Sequence, residues 1–139
     1  MQSEADAVRA LNARFYQALC TQNLLEMEEI WSHGPNVRCV HLGSGLTRGW
    51  DSIRTSWRLF FSRAICLTVE PQDAQILVLG LAAVVNCVEH ITMFTHEGST
   101  DLRAQATNVF EKHQGRWHLM LHHASAIVPE PPAHPEGAD

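Results

Sequence analysis

The side chains of Asn108, His122 and His123 have apolar neighbours within the stretch that runs from Leu102 to Ser125. An unpaired buried amide or imidazole costs roughly 1–3 kcal/mol, so each must find a partner if the stretch is buried. An imidazole exchanges protons near neutral pH, and an asparagine amide orients a carbonyl or hydroxyl group. This stretch is therefore the first place to look for a binding or catalytic site.

A carboxylate on a neighbouring segment adds acid–base chemistry. Strand alternation in the segment Leu81–Phe94 puts Cys87 and Glu89 on one face and His90 on the other. An apolar cavity disfavours the charged form of a carboxyl group and so raises its pKa. A histidine beside it can share the proton, and such a pair serves as general acid and base near neutral pH. The alternative is that Glu89 pairs with Arg103 on a solvated edge of a hairpin.

The elements that must position these residues begin with a hairpin over Leu102–Ser125, whose turn is centred on His113 to Arg116. Both faces of both runs carry apolar residues, for example Phe110 and Val109 in the first. A strand with one wet face should instead alternate apolar and polar residues. The sequence therefore predicts that this hairpin lies inside a sheet that is covered, at least in part, on both sides.

The remaining periodicity predicts helices first and strands later. Helical spacing gives three helices, at about Glu4–Thr21, Asn23–Trp31 and from Gly49 or Asp51 to Ser62. Before the hairpin, the predicted strands are Val37–Leu42, Ala64–Val69, Ala74–Leu79 and Leu81–Phe94, with a loop at Gly43–Gly49 and a turn at Glu70–Asp73. This order predicts an α+β fold with the helices on one face of an antiparallel sheet.

Composition limits the class of protein. The 139 residues, 45% hydrophobic and 18% charged, predict one domain over residues 1–128, followed by a proline-rich acidic tail over 129–139 that is extended or disordered. The net charge of −5 argues against nucleic acid as a partner. The sequence shows no signal-peptide pattern and no apolar run of about 20 residues, so no membrane association is expected. Four widely spaced cysteines without a CxxC pair predict free buried thiols in a reducing cytoplasm.

Two longer motifs carry a family resemblance. Residues 40–57 read VHLGSGLTRGWDSIRTSW and residues 106–125 read ATNVFEKHQGRWHLMLHHAS. They resemble the SnoaL-like branch of the nuclear transport factor 2-like superfamily, which also holds ketosteroid isomerase, scytalone dehydratase and the association domain of calcium/calmodulin-dependent kinase. The resemblance implies a strongly curved, cystatin-like sheet wrapped around the helices as a cone, with a pocket at its open end. Leu42 and Leu121 depart from the family pattern, which usually has proline and often histidine there.

The resemblance also implies which side chains face the pocket. It places Glu89, Asn108 and His123 inward, with Glu89 and His123 as candidate catalytic residues and four candidate ligand-binding residues, namely His41, Trp57, Asn108 and Trp31. Purely structural roles are the alternatives to these assignments. His123 can bond a backbone carbonyl, Asn108 can bond the backbone of a bulge, and the tryptophans can be core or dimer residues.

No metal or cofactor is expected. Nine histidines raise the question, but no HxH or HxxxH set recurs with a carboxylate nearby. On one strand His118 and His122 would stand roughly 13 Å apart, at about 3.3 Å per residue. That separation is too large for a shared zinc ion, which binds nitrogen at about 2.0–2.1 Å.

Three functions remain open. The favoured one is binding of a small apolar or carbonyl-containing molecule without turnover, because Leu121 replaces a family histidine and thins the polar set. The alternatives are an isomerase, cyclase or dehydratase that uses Glu89 and His123 for proton transfer, and a homo-oligomerisation module. The family also implies a homodimer packed through the outer sheet face, where Val109, Met120, His118 and His122 are expected.

Overall fold

A computed structural model describes residues 2–63 and 66–129. The described residues form three helices and six strands, in the order α1 (Glu4–Cys20), α2 (Leu24–Ile30), β1 (Arg38–Val40), β2 (Leu46–Arg48), α3 (Trp50–Arg63), β3 (Cys66–Leu79), β4 (Ala82–Thr95), β5 (Gly98–His113) and β6 (Arg116–Ala126). The three predicted helices are confirmed. The prediction of a disordered tail lies outside the described residues except at Pro129.

Helix starts follow local sequence signals. The Ser3 hydroxyl accepts a 3.1 Å hydrogen bond from the Asp6 backbone N–H and caps α1. Asn23 caps α2 in the same way through the backbone N–H of Glu26, at 3.1 Å. The apolar stripe of α1 is buried, and it also carries the polar residues Asn12 and Tyr16. One face of α1 therefore brings polar groups into the interior together with the core.

The six strands form one curved, unclosed sheet in the order β2-β1-β6-β5-β4-β3. All neighbouring pairs are antiparallel except β1 and β6, which run parallel. The β5–β6 hairpin is therefore interior to the sheet, as its two-faced apolar character predicts. Its two-residue turn has positive φ at Gln114 (51°) and Gly115 (77°), the backbone that a type I′ hairpin turn requires.

Two predictions about the sheet are wrong. The segment expected to hold two strands and a turn at Glu70–Asp73 is one strand, β3, with a register shift between Gln72 and Gln75. Pro71 is tolerated because β3 is an edge strand, and the positive φ of Asp73 falls within the bulge between Gln72 and Gln75. The expected loop at Gly43–Gly49 also contains β2, which pairs with β1.

A second bulge decides which residues of β6 face inward. Val109 pairs with Leu121 while Phe110 pairs with Leu119, so Met120 is an extra residue. The extra residue inverts the alternation, because successive side chains point to opposite faces. Beyond the bulge His122 is buried and His123 is exposed.

The concave face of the sheet holds the core and the helices. On the convex face, one row of cross-strand partners is apolar across four strands, namely Leu77, Val84, Val109 and Leu121, here called the outer row. These four side chains are partly or fully exposed, while Ala83, Val85 and Asn108 beside them are buried on the concave face. The predicted α+β cone is therefore confirmed, and it presents a distinct apolar outer surface.

Candidate functional site

A cavity of about 150 Å³ lies between the concave face of the sheet and helices α1 and α3. Most of its wall is apolar and comes from α1, α3, the segment after β1 and strands β3 to β6, namely Leu19, Leu42, Trp57, Phe60, Leu67, Val69, Ile91, Met93, Leu102 and Ala124. Its ionisable wall residues are His41, Glu89 and His122. The cavity thus combines an apolar wall with a few convergent polar groups, the usual composition of a small-molecule site.

Glu89 is the carboxylate of this cavity and is only 3% exposed. Its Oε2 atom accepts a 2.7 Å hydrogen bond from the Tyr16 hydroxyl. Burial raises the pKa of Glu89 to about 7, although the Tyr16 hydrogen bond acts in the opposite direction. The alternative pairing with Arg103 is wrong, because the residue opposite Glu89 is Ala104 and Arg103 is exposed.

Asn108 lies at the centre of a buried hydrogen-bond network. Its Nδ2 donates to Asn12 Oδ1 at 2.9 Å and to the Tyr16 hydroxyl at 3.0 Å. Its Oδ1 lies 2.6 Å from His122 Nδ1. Asn108 is fully buried and does not line the cavity, so it orients Tyr16 and His122 rather than meeting a ligand directly.

His122 is the histidine that β6 turns into the cavity. Its Nε2 lies 3.9 Å from Glu89 Oε2, and its ring centroid lies 4.9 Å from that of Phe15. Complete burial lowers the pKa of His122 to about 3, so the ring is neutral at physiological pH. The prediction that His122 belongs to the outer face is wrong, because its side chain is buried and lines the cavity.

His123 occupies the opposite side of the strand. The prediction that it faces the pocket is wrong, since its side chain is exposed and the register pairs it with Val40 and Thr107. The bulge at Met120 exchanges the orientations of His122 and His123. A catalytic role inside the cavity therefore cannot belong to His123, and Glu89 has His122 as its neighbour.

His41 and Trp57 line the cavity together. The His41 Nε2 atom lies 2.8 Å from Ser56 Oγ, and the His41 ring packs edge-on against Trp57 with centroids 4.4 Å apart. Burial lowers the pKa of His41 to about 4. The indole Nε1 atoms of Trp57 and Trp31 are the buried side-chain polar atoms without a hydrogen-bond partner among the described residues. Trp31 is buried in the core and does not line this cavity.

Sequence reasoning missed two residues of the network, Asn12 and Tyr16. Their spacing of four residues puts both on the buried face of α1, where polar residues among Val8, Leu11 and Phe15 are a usable signal. No local signal selects His122 over His123, because that choice depends on a bulge whose position comes from strand pairing.

The described part of the chain contains no group of three or more histidine, cysteine, aspartate or glutamate side chains arranged to hold a metal ion. Within that part, no helix has the length and apolar character to cross a membrane.

The model of the SnoaL-like domain family matches residues 8–129. F-box protein SKIP8 of Arabidopsis thaliana is 27% identical over 122 residues, covering 88% of this chain but 50% of that protein. The chain therefore spans about half the length of this curated relative.

Solved structures share the fold. A proposed dehydratase of the NTF2-like family from Streptomyces avermitilis superposes with a TM-score of 0.85 at 24% identity, covering 91% of this chain and 97% of that one. A proposed association domain of calcium/calmodulin-dependent protein kinase type II from Thiobacillus denitrificans gives 0.78 at 22% identity, covering 86% and 94%. At these identities the likeness concerns the fold.

Proposed function

The chain belongs to the SnoaL-like domain family of the nuclear transport factor 2-like superfamily, and on that premise we propose that it binds a small, largely apolar molecule beside Glu89. The observation that carries the proposal is the cavity of about 150 Å³, whose apolar wall converges on Glu89, His41 and His122. An engineered cavity of about 150 Å³ lined by apolar side chains binds benzene, which sets the scale of the ligand.

A hydrogen-bond acceptor on the ligand, directed at Trp57, is part of the proposal. Trp57 lines the cavity, is 1% exposed, and its indole N–H has no partner among the described residues. A buried donor without a partner costs roughly 1–3 kcal/mol, and a ligand oxygen would remove that cost. A carbonyl-containing molecule with a six-membered ring satisfies both the volume and this donor.

The test is a titration of the full chain with cyclohexanone, followed by the indole N–H resonances of its four tryptophans. We expect a saturable shift of the Trp57 resonance, assigned with Trp57→Phe. The Trp117 resonance should stay in place, because its indole donates a 2.7 Å hydrogen bond to Glu4 at the surface. Equal shifts of all indole resonances, or no saturation, would contradict the proposal.

A cavity-filling variant supplies the matched control. Ala124 lines the cavity and is 3% exposed, whereas Ala126 lies two residues further along β6 and is exposed. Ala124→Leu should abolish the cyclohexanone shift and Ala126→Leu should leave it unchanged. If Ala124→Leu does not fold, transferred saturation from bound cyclohexanone to Phe60 and Met93 of the wild-type chain locates the ligand instead.

A proton-transfer enzyme is the second candidate, because burial raises the pKa of Glu89 to about 7 within the cavity. A general base works best when its pKa lies near the operating pH. In the simplest reaction the Glu89 carboxylate removes a proton from the carbon next to a carbonyl, and the C–H electron pair becomes the C=C bond of an enolate. The proton then returns from the Glu89 carboxyl group to the same or another carbon.

Deuterium exchange separates the two candidates with the same probe. In D₂O an enzyme of this kind accelerates exchange at the carbons beside the cyclohexanone carbonyl, and Glu89→Gln removes the acceleration. A pure binder leaves the exchange rate at that of buffer. We favour the binder, because neutral His122 lies 3.9 Å from Glu89, beyond hydrogen-bond distance, and His123 is exposed.

The partner on the outer face is a second copy of the chain. The outer row of Leu77, Val84, Val109 and Leu121 crosses four strands in register, and an apolar surface of that kind marks an interaction site. A two-fold homodimer buries the same row on both copies. Assembly and ligand binding use opposite faces of the sheet, so both can occur in one molecule.

The four cysteines support a reducing compartment such as the cytoplasm, since all are free thiols. Cys39 and Cys87 are buried as predicted, while Cys20 is half-buried and Cys66 is exposed. Thiol titration of the denatured full chain without reductant should therefore find four reactive groups.

A further inference from the structure

The cavity wall carries a carboxylate without a basic partner. Its thirteen residues include no lysine or arginine, and the described ion pairs of those residue types lie at the protein surface. Glu89 accepts a hydrogen bond from the neutral Tyr16 hydroxyl. The nitrogen atom described as its ion-pair partner is His122 Nε2, at 3.9 Å. A buried charge usually has a partner of opposite sign, so the ligand is the place to look for one.

The hydrogen-bond network fixes the proton of His122. Asn108 donates its two Nδ2 protons to Asn12 and Tyr16, so its Oδ1 atom accepts a hydrogen bond from His122 Nδ1–H. A neutral imidazole carries one ring proton. The Nε2 atom, on the side of Glu89, is therefore a bare acceptor.

The Ser56 hydroxyl determines which ring nitrogen of His41 carries the proton. Ser56 Oγ donates a 2.6 Å hydrogen bond to the backbone carbonyl of Ile53, and therefore accepts from His41 Nε2–H at 2.8 Å. The other ring nitrogen of His41 keeps its lone pair. Each of the two neutral rings thus has one nitrogen that can only accept a hydrogen bond.

From this arrangement, and on the basis of the proposed function, we propose that the cavity ligand carries a primary amine, bound as an ammonium ion between Glu89 Oε2 and His122 Nε2. Glu89 Oε2 and His122 Nε2 lie 3.9 Å apart, and besides the Tyr16 hydroxyl that donates to Glu89 neither atom has a described hydrogen-bond donor. An ammonium group has three N–H donors and a positive charge, whereas a hydroxyl has one donor and no charge. The aromatic rings of Trp57 and Phe60 in the same wall also suit a cation.

The size of the cavity limits the amine to about the bulk of a six-membered ring. Cyclohexylamine, cyclohexanol and cyclohexanone share the same carbon skeleton and differ at one polar group. The comparison of these three compounds therefore isolates the charge and the number of donors. The proposed hydrogen bond from the Trp57 indole N–H to the ligand is tested separately with cyclohexanone. The comparison of cyclohexylamine with cyclohexanol tests only the group that meets Glu89 and His122.

Proton linkage predicts the pH dependence. The ionisable groups around Glu89 are Tyr16 from α1, Cys87 from β4, Cys39 and His41 from the β1 segment, and His122 from β6. Burial raises the pKa values of Tyr16, Cys39 and Cys87 and lowers those of His41 and His122 to about 4 and about 3, so all five stay neutral near pH 7. Among these six groups, only Glu89 changes its charge near pH 7.

Binding of the ammonium ion requires the Glu89 carboxylate, while an alkylamine, like lysine with its pKa of about 10.4, stays protonated. Below the Glu89 pKa of about 7 the affinity for cyclohexylamine should therefore fall about tenfold per pH unit. Above it the affinity should reach a plateau. The affinity for cyclohexanol should vary much less over the same range.

The experiment is a titration of the full chain with each of the three compounds between about pH 5.5 and about pH 8.5, spanning the Glu89 pKa. At the upper end we expect cyclohexylamine to bind at least tenfold more tightly than cyclohexanol. Glu89→Gln should remove this advantage, and Glu97→Gln, at an exposed position, should preserve it. If Glu89→Gln does not fold, the pH profile of the wild-type chain gives the same test.

Tighter binding of cyclohexanol or cyclohexanone than of cyclohexylamine at high pH would overturn the amine assignment and leave the proposed binding function intact. The same holds if Glu89→Gln leaves cyclohexylamine affinity unchanged. Absence of saturable binding by all three compounds would overturn both proposals.

Discussion

The Tyr16 hydroxyl donates a 2.7 Å hydrogen bond to Glu89 Oε2 across 73 residues of sequence. The same hydroxyl accepts from Asn108 Nδ2 at 3.0 Å, so it couples the carboxylate to a network that extends to Asn12 and His122. Helix α1 and strands β4, β5 and β6 meet at this point. The charge state of Glu89 therefore depends on residues from most of the chain.

Removal of that hydroxyl should shift the titration of Glu89. In Tyr16→Phe the carboxylate loses the hydrogen bond that lowers its pKa, so burial alone acts and the pKa of Glu89 should rise above about 7. Carbon-13 resonances of the glutamate carboxyl groups measure the shift directly. The Glu4 carboxyl, bonded to Lys112 and Trp117 at the surface, should titrate alike in both proteins. A fall in the Glu89 pKa would contradict the network described above.

The stability of the chain should depend on pH through Glu89. Its pKa is about 7 in the folded chain and about 4.5 for the free side chain, so between these values the folded state holds one more proton than the unfolded state. The contribution of Glu89 to stability is full below about pH 4.5 and is lost as the pH rises toward 7. The loss amounts to roughly 3 kcal/mol in the free energy of unfolding.

The comparison with Glu89→Gln isolates this contribution, because the variant differs from the wild-type chain only in lacking the ionisable carboxyl group of Glu89. Urea unfolding at several pH values should show the wild-type chain losing stability relative to the variant as the pH rises from about 4.5 to about 7. A constant difference across that range would show that the Glu89 pKa is not raised in the folded chain.

Asn108 should be far more important for stability than a surface asparagine. Asn108→Ala removes the partner of His122 Nδ1, the donor to Asn12 Oδ1 and the donor to the Tyr16 hydroxyl, and each buried group left unsatisfied costs roughly 1–3 kcal/mol. Asn86 is the matched control, since it is exposed on the adjacent strand and bonds Thr107 Oγ1 at the surface. Asn86→Ala should change the free energy of unfolding by about 0.5 kcal/mol or less. Similar losses in both variants, measured by urea unfolding, would count against the network.

The outer row should control self-association. Leu121→Glu puts a charge in the outer row of the proposed dimer face and should convert the dimer to a monomer, measured by sedimentation velocity at tens of micromolar protein. Leu25→Glu introduces the same charge at a leucine on α2 that is 74% exposed and distant from the outer row. That variant should remain dimeric. A monomeric wild-type chain under these conditions would refute the dimer.

The sequence by itself determined the fold class and the faces of the unbroken elements. Helical spacing gave α1, α2 and α3, and the alternation of β4 correctly put Glu89 with Cys87 on one buried face and His90 on the other. These features are local, because each depends on a period of 3.6 or 2 residues within one continuous element. The two-faced apolar pattern of β5 and β6 was likewise enough to place that hairpin inside the sheet.

Only the tertiary structure decided which polar residues meet. The extra residue Met120 inverts the faces of β6 and exchanges His122 for His123, and a bulge in β3 turns a predicted turn into continuous strand. The Tyr16 partner of Glu89 comes from a helix far away in sequence. Bulges arise from pairing between strands, and long-range hydrogen bonds arise from packing between layers, so the local periodicity of the chain records neither.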